Sequence, residues 1–190
     1  MPRAGLNQQV VVREAARLAD EVGLHQLTLA ALAGRLGVAL PSLYKHVKGA
    51  DALTQKLAAL ATAELAAALT AAAAGRAGGD ALRAVAAAYR DYARRHPGRY
   101  PAAQRVPDAR DPDHVAASDR AVGAIYAILR GYGLGGDDAV DATRTLRSAL
   151  HGFVTLEAAG GFGLPRDLDR SYDRLVAGLD EAFRSWPGQG

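Results

Sequence analysis

The side chains best equipped to recognise another molecule gather between Thr28 and Lys48, in TLAALAGRLGVALPSLYKHVK. Ser42 and Tyr44 offer hydroxyls, Lys45 and Lys48 carry ammonium groups, and His46 adds an imidazole. Donors of these kinds suit phosphate oxygens, and a lysine also fits the acceptor edge of guanine. Lys45 is the candidate for that edge, or else for a phosphate, while His46 and Lys48 would anchor the backbone. Leu40 and Pro41, just ahead, suit apolar contact with thymine methyls. The hydroxyl of Thr28, with the helix start behind it, could hold a phosphate. Between Glu21 and Asp51 there is no acidic residue, yet Arg35, Lys45 and Lys48 are present, in a chain whose net charge is only +3. The positive excess is therefore local. A duplex carries one negative charge per ~1.7 Å of axis, so a few cations on one face matter.

Two short helices and a turn must position these groups. Thr28 is a good N-cap residue, and Leu29, Leu32, Ala33 and Leu36 follow at helical spacing. Gly37 comes where a left-handed residue commonly ends a helix. Val38 can plug the angle, and a second helix starts near Leu40, with Pro41 suited to its first turn. Leu43 and Val47 then face inward, leaving Ser42, Tyr44, Lys45, His46 and Lys48 outward. This is the layout of a DNA-reading helix-turn-helix over about residues 28–47. A preceding helix over 8–21, with Val11, Ala15, Leu18 and Val22 on one face, would complete a three-helix bundle. Residues 1–7 form a polar arm carrying Arg3.

The run Leu27-Thr28 to Leu36-Gly37-Val38, then Pro41-Ser42-Leu43-Tyr44-Lys45-His46-Val47-Lys48 and Ala52-Leu53, resembles the DNA-binding domain of the TetR family of repressors. It is most similar to the tetracycline-repressor type, and the likeness covers about residues 6–66. The family suggests phosphate contacts for Ser42 and Tyr44. Two positions depart from it: Ala50 stands where a basic residue is frequent, and Ala30 where the tetracycline type reads a base with arginine. Base contacts should therefore be fewer or different, and the tetracycline operator is not expected.

Beyond this region the periodicity predicts helices over 50–74, 80–96, 112–132, 137–159 and 167–185, with a short one near 100–105. Inward residues are Leu53, Leu57, Leu60, Leu65 and Leu69 in the first, and Leu82, Val85, Tyr89 and Tyr92 in the second, which Asp80 would cap. Val122, Ile125, Ile128 and Leu129 serve the third. Alanine dominates 57–74 and should make a stiff rod. Breaks fall at 75–79, at Pro97, Pro101, Pro107 and Pro112, and at 160–165. No strand pattern is present. The reading is all-α, about nine helices, with a helix-turn-helix domain over 6–66 and a helical regulatory, ligand-binding and dimerisation domain over 67–190.

The family resemblance implies a homodimer joined by the last two helices, whose stripes hold Leu146, Leu150, Val154, Leu175, Leu179 and Phe183. It implies a small-molecule effector among the middle helices, with Tyr89, Tyr92, Tyr126, Arg147, His151 and Phe153 as candidate lining. It also implies a repressor that binds a palindromic operator and is released by that effector. Ala-Leu-His-Gly-Phe at 149–153, with Leu156-Glu157 and Gly161-Phe162, is similar to a motif of one regulatory-domain subgroup of the family.

Other classes find little support. His25, His46, His96, His114 and His151 are scattered, without metal-ligand spacing. Asp111, Asp113 and His114 cluster in a proline-rich loop, as solvated charges do. No nucleophile elbow, Walker loop or dinucleotide fingerprint occurs, so neither an enzyme, a cofactor nor a metal is expected. Without cysteine there is no disulfide framework. No run of ~18 apolar residues is free of charge or glycine, and no signal peptide is visible, so the expected place is the cytoplasm and no membrane partner is expected. The surviving alternative is a helical interaction or small-molecule-binding protein without specific DNA binding.

Overall fold

The computed structural model describes residues 6–186; Arg3 lies outside them. Nine α-helices occur among the described residues: α1 Gln8–Val22, α2 Leu29–Leu36, α3 Leu40–Leu43, α4 Ala50–Ala73, α5 Gly78–Arg95, α6 Arg99–Ala103, α7 Pro112–Arg130, α8 Gly136–Ala158 and α9 Leu168–Arg184. A 3-10 turn, Leu24–Gln26, joins α1 to α2. The chain forms two compact units. One takes the residues up to Glu64 together with His96–Ser118, the other Leu65–Arg95 together with Asp119 onward.

The first unit is built on one apolar cluster. Val11, Val12, Ala15 and Leu18 of α1 meet Leu32 and Ala33 of α2, Leu43 of α3, Val47, and Leu53 of α4. Each fully buried leucine or valine there contributes about 1.5–3 kcal/mol. Val22 is not part of it: at the last turn of α1 it is 37% exposed, because the buried stripe ends at Ala19.

The segment after α5 is bound to this unit by polar contacts. Asp20 on α1 accepts from the backbone N–H of Gly98 at 3.1 Å and of Arg99 at 2.9 Å, and from Arg99 Nε at 2.8 Å. His96 Nδ1 lies 3.2 Å from the same carboxylate. Arg99 also reaches Glu64 of α4 at 2.9 Å. Gly98 sits so close to α1 that a Cβ there would lie 1.9 Å from the carbonyl oxygen of Ala19.

By length and composition α4 is apolar enough to cross a membrane. Its charges argue for a core helix instead: Lys56 pairs with Asp111 at 3.0 Å and Glu64 with Arg99, while Leu53, Leu57 and Ala61 are buried in protein.

His114 of α7 is 3% exposed, with Nε2 3.2 Å from the hydroxyl of Thr62 on α4. Burial pushes its pKa below 6.5, with Arg105 acting the same way and Asp111 opposing. The folded state thus favours the neutral ring, and this stability is present above pH 6.5 and lost as pH falls below it. Urea midpoints should therefore drop between pH 7 and pH 5, and His114→Gln should flatten that slope.

In the second unit α5, α8 and α9 pack on one another. Leu82, Val85, Tyr89 and Tyr92 line α5, and Leu146, Leu150 and Val154 line α8. Tyr172, Val176, Leu179 and Phe183 line α9, and all of these are buried. A charge lies inside this apolar layer. Arg90, 6% exposed, donates to Glu157 through Nε at 2.9 Å and a terminal nitrogen at 2.6 Å. Arg94 and Asp169 extend the network at 2.8 and 3.0 Å. The Arg90 guanidinium stacks 4.7 Å from the Tyr172 ring centroid and 5.3 Å from that of Phe153. The hydrogen bonds from Arg90, reinforced by Arg94, outweigh burial and hold Glu157 down at about 2.

Two expectations are corrected here. α5 begins at Gly78, so Asp80 lies in its first turn, paired with Arg83 at 2.5 Å. On α7 the buried side is Ala124, Ile128 and Leu129, whereas Val122 is 41% exposed. Two residues, about 200°, separate it from Ala124 on the helix.

Candidate nucleic-acid interface

The helix-turn-helix forms by the local rules its residues suggest. Thr28 Oγ1 accepts from the backbone N–H of Ala31 at 3.1 Å, capping α2. Gly37 closes α2 in the left-handed conformation, φ 65°, and the N–H of Val38 returns to the Ala33 carbonyl at 3.1 Å. α3 then starts with Pro41 in its first turn. It is short: regular helix stops at Leu43, and residues 44–46 continue as a turn.

The split between inner and outer side chains is sharp. Leu43 and Val47 are 0% and 2% exposed. Leu40 is 37% and Tyr44 53% exposed. Thr28, Pro41, Lys45 and Lys48 are exposed, and Ser42 and His46 half-buried. The structure thus gathers the candidates from Leu40 to Lys48 on and around one short element with its apolar side turned into the core, while Thr28 sits at the start of α2.

Arg35 stands apart. It donates through Nε to Glu14 at 2.9 Å and through a terminal nitrogen to Glu21 at 2.6 Å. These bonds raise its own pKa and lower that of Glu21. The pair is exposed and adds little stability, but it does neutralise the charge. Of the three cations in the acid-free window, Lys45 and Lys48 remain to meet a polyanion. Sequence could not show this, because both carboxylates come from α1, outside the window. A second contact it missed is the Gln8 amide, whose Nε2 donates to the His46 carbonyl at 3.0 Å.

The regulatory candidates are more scattered. Tyr89 and Tyr92 are buried, Tyr126, His151 and Phe153 half-buried, and Arg147 exposed. Phe153 lies 4.9 Å from both Tyr172 and Phe162, centroid to centroid. Burial and nearby Arg147 lower the His151 pKa. Arg90 and Glu157 are a buried polar pair where the end of α8 meets α5 and the start of α9. A signal for them existed: an arginine directly after Tyr89 on the inward stripe Leu82, Val85, Tyr89 needs a buried partner. Of the interface candidates, Leu146, Leu150, Val154, Leu179 and Phe183 are buried within the single chain, and Leu175 is half-buried. The apolar stripes of α8 and α9 already face α5. No group of three or more metal-ligating side chains occurs among the described residues.

Residues 82–179 match the model for the tetracyclin repressor-like C-terminal domain. The chain belongs to the TetR family of transcriptional regulators. An uncharacterised HTH-type transcriptional regulator of Mycobacterium tuberculosis, Rv0681, is 40% identical over 83% of this chain and 72% of its own. Another, YobS of Bacillus subtilis, is 37% identical over 88% of this chain and 87% of its own. Among solved structures, the Streptomyces coelicolor TetR family protein ActR superposes with a TM-score of 0.71 at 19% identity, covering 97% of this chain and 100% of that one. That last likeness speaks for the all-helical TetR fold alone. As a TetR-family member the chain is a DNA-binding transcriptional regulator and not an enzyme.

Proposed function

We propose that the protein is a cytoplasmic repressor that binds a palindromic operator as a homodimer and is released by a small molecule. Residues 6–66 serve as its DNA-binding domain and 67–190 as its regulatory, ligand-binding and dimerisation domain. The observation that carries the reading is the recognition element. Leu43 and Val47 anchor it, and Leu40, Tyr44, Lys45 and Lys48 stand outward from it. In this reading Thr28, Ser42, Tyr44, His46 and Lys48 hold phosphates. Leu40 and Pro41 meet thymine methyls, and Lys45 reads a guanine edge.

The dimer is assigned to α8 and α9, through the sides that the chain's own core leaves free. These carry Thr145, Ser148 and Thr155 on α8 and Ala177, Gly178 and Ala182 on α9. Small residues let two helix pairs approach closely. The effector is assigned to Tyr89, Tyr92, Tyr126, Arg147, His151 and Phe153. Its support is that ActR was solved in complex with (S)-DNPA, and a TetR variant of Acinetobacter baumannii with minocycline. DNA requires the two reading elements ~34–36 Å apart. An effector that favours another spacing weakens DNA binding by the same factor that DNA weakens its own, typically ~1–3 kcal/mol.

Lys45→Ala is the direct test, in gel shifts with DNA from upstream of the protein's own gene. Specific affinity should fall about tenfold or more, the loss expected for a base contact of ~1–3 kcal/mol, and discrimination against scrambled DNA should shrink. Equal weakening on both duplexes, with the salt slope reduced by about one, would return Lys45 to a phosphate. Unchanged binding would remove it from the interface.

A further inference from the structure

We propose that Gln8 is a positioning residue for DNA recognition, fixing the end of the recognition element from α1. The inference rests on the assignment of Lys45 and its neighbours to DNA.

α3 has only four helical residues, too few to hold itself together. The N–H groups of His46 and Val47 both return to one acceptor, the Leu43 carbonyl, at 2.8 and 2.9 Å. Carbonyls at the end of such a turn lack intrahelical partners and need an outside donor. For His46 that donor is Gln8 Nε2, at 3.0 Å.

Gln8 is well placed to act as a fixed point. It is the first residue of α1, whose start is set by Asn7 Oδ1 accepting from the backbone N–H of Val10 at 2.9 Å. One turn further on, Val11 and Val12 enter the same apolar cluster as Leu43 and Val47. The brace therefore spans two elements already locked together by their cores. It holds the peptide that follows Lys45 and His46, so it fixes the backbone from which the Lys45 side chain extends. Gln8 itself need not touch DNA.

The test compares the wild type with Gln8→Met and Gln8→Ala, which keep a helix-forming side chain and lose the donor at an exposed position. The probes are the upstream fragment and a scrambled duplex of equal length, each at two salt concentrations, with thermal melts alongside. Both variants should lose about three- to tenfold in affinity for the upstream fragment, the range one hydrogen bond supports. Affinity for the scrambled duplex and the salt slope should stay as in the wild type, and the melting temperature should fall by no more than about 1–6 °C, the share of one hydrogen bond in the fold. Wild-type affinity for the upstream fragment in both variants would overturn the proposal. So would equal weakening on both duplexes with a shallower salt slope, since Gln8 would then be a phosphate contact. If the wild type itself fails to distinguish the two duplexes, the assignment of Lys45 fails first and the proposal falls with it.

Discussion

Glu157→Ala is expected to lower the melting temperature of the protein by roughly 6–12 °C. The carboxylate is 11% exposed and the Arg90 side chain it faces 8%. Removing one partner of a buried ion pair typically costs 3–5 kcal/mol, because the other charge stays behind without compensation. Asp169 still lies 2.9 Å from Arg90, which puts the expectation near the lower end, about 3 kcal/mol. For a chain of this length each kcal/mol moves the melting point by about 2–4 °C. The double variant Arg90→Met with Glu157→Leu should recover most of the loss, since it removes both charges and restores apolar packing beside Phe153 and Tyr172. A single-variant loss under about 2 °C would show that the pair is solvated in the folded protein. Because Glu157 ionises at about 2 instead of its ordinary 4.5, its contribution is complete above pH 4.5 and fades as pH falls toward 2.

Gly98→Ala should be as damaging, for a different reason. Gly98 has ordinary helical backbone angles, φ −90° and ψ −36°, so alanine meets no conformational strain. The obstacle is space: the added carbon would lie 1.9 Å from the Ala19 oxygen and 2.1 Å from the Ala19 carbonyl carbon. Both are backbone atoms of α1 and have no rotamer to retreat into. Relief requires separating the two chain segments, which lengthens the bonds from Gly98 and Arg99 to Asp20. Overpacking costs ~1–3 kcal/mol when side chains can give way. Here about 3 kcal/mol or more is expected, a fall of roughly 6–12 °C in the melt. Asp20→Asn, which loses the charge but leaves the packing, should cost less; a milder Gly98→Ala would mean that α1 yields easily.

The helix-turn-helix was legible because its signals are local. Thr28 caps, Gly37 takes the left-handed turn, Pro41 opens the next helix, and Leu43 and Val47 mark the inner side, all within a few residues of what they control. Helix boundaries elsewhere fell within one or two residues for the same reason. Periodicity did not show which partner a charge takes. Arg35 looked available until α1 supplied Glu14 and Glu21. Nor did it show which other element a stripe packs on. Leu146, Leu150 and Leu179 form the amphipathic pattern that suggests an interface, yet that pattern reads the same whether the covering helix belongs to another copy or to the same chain. The shortness of α3 was hidden as well, since Leu43 and Val47 have helical spacing across what is in fact a helix and a turn.

The compact unit that contains the helix-turn-helix is discontinuous in the chain, which bears on how the protein is made. Its two pieces are separated by Leu65–Arg95. At ~5–20 residues per second, the 54 residues from Leu65 to Ser118 take the ribosome roughly 3–10 s to deliver. Until residue 99 is made Asp20 and Glu64 lack Arg99, and until residue 111 is made Lys56 lacks Asp111. Its maturation must therefore wait for translation well beyond its own apparent end, and a truncated transcript ending near α4 would yield a head still missing its clasp.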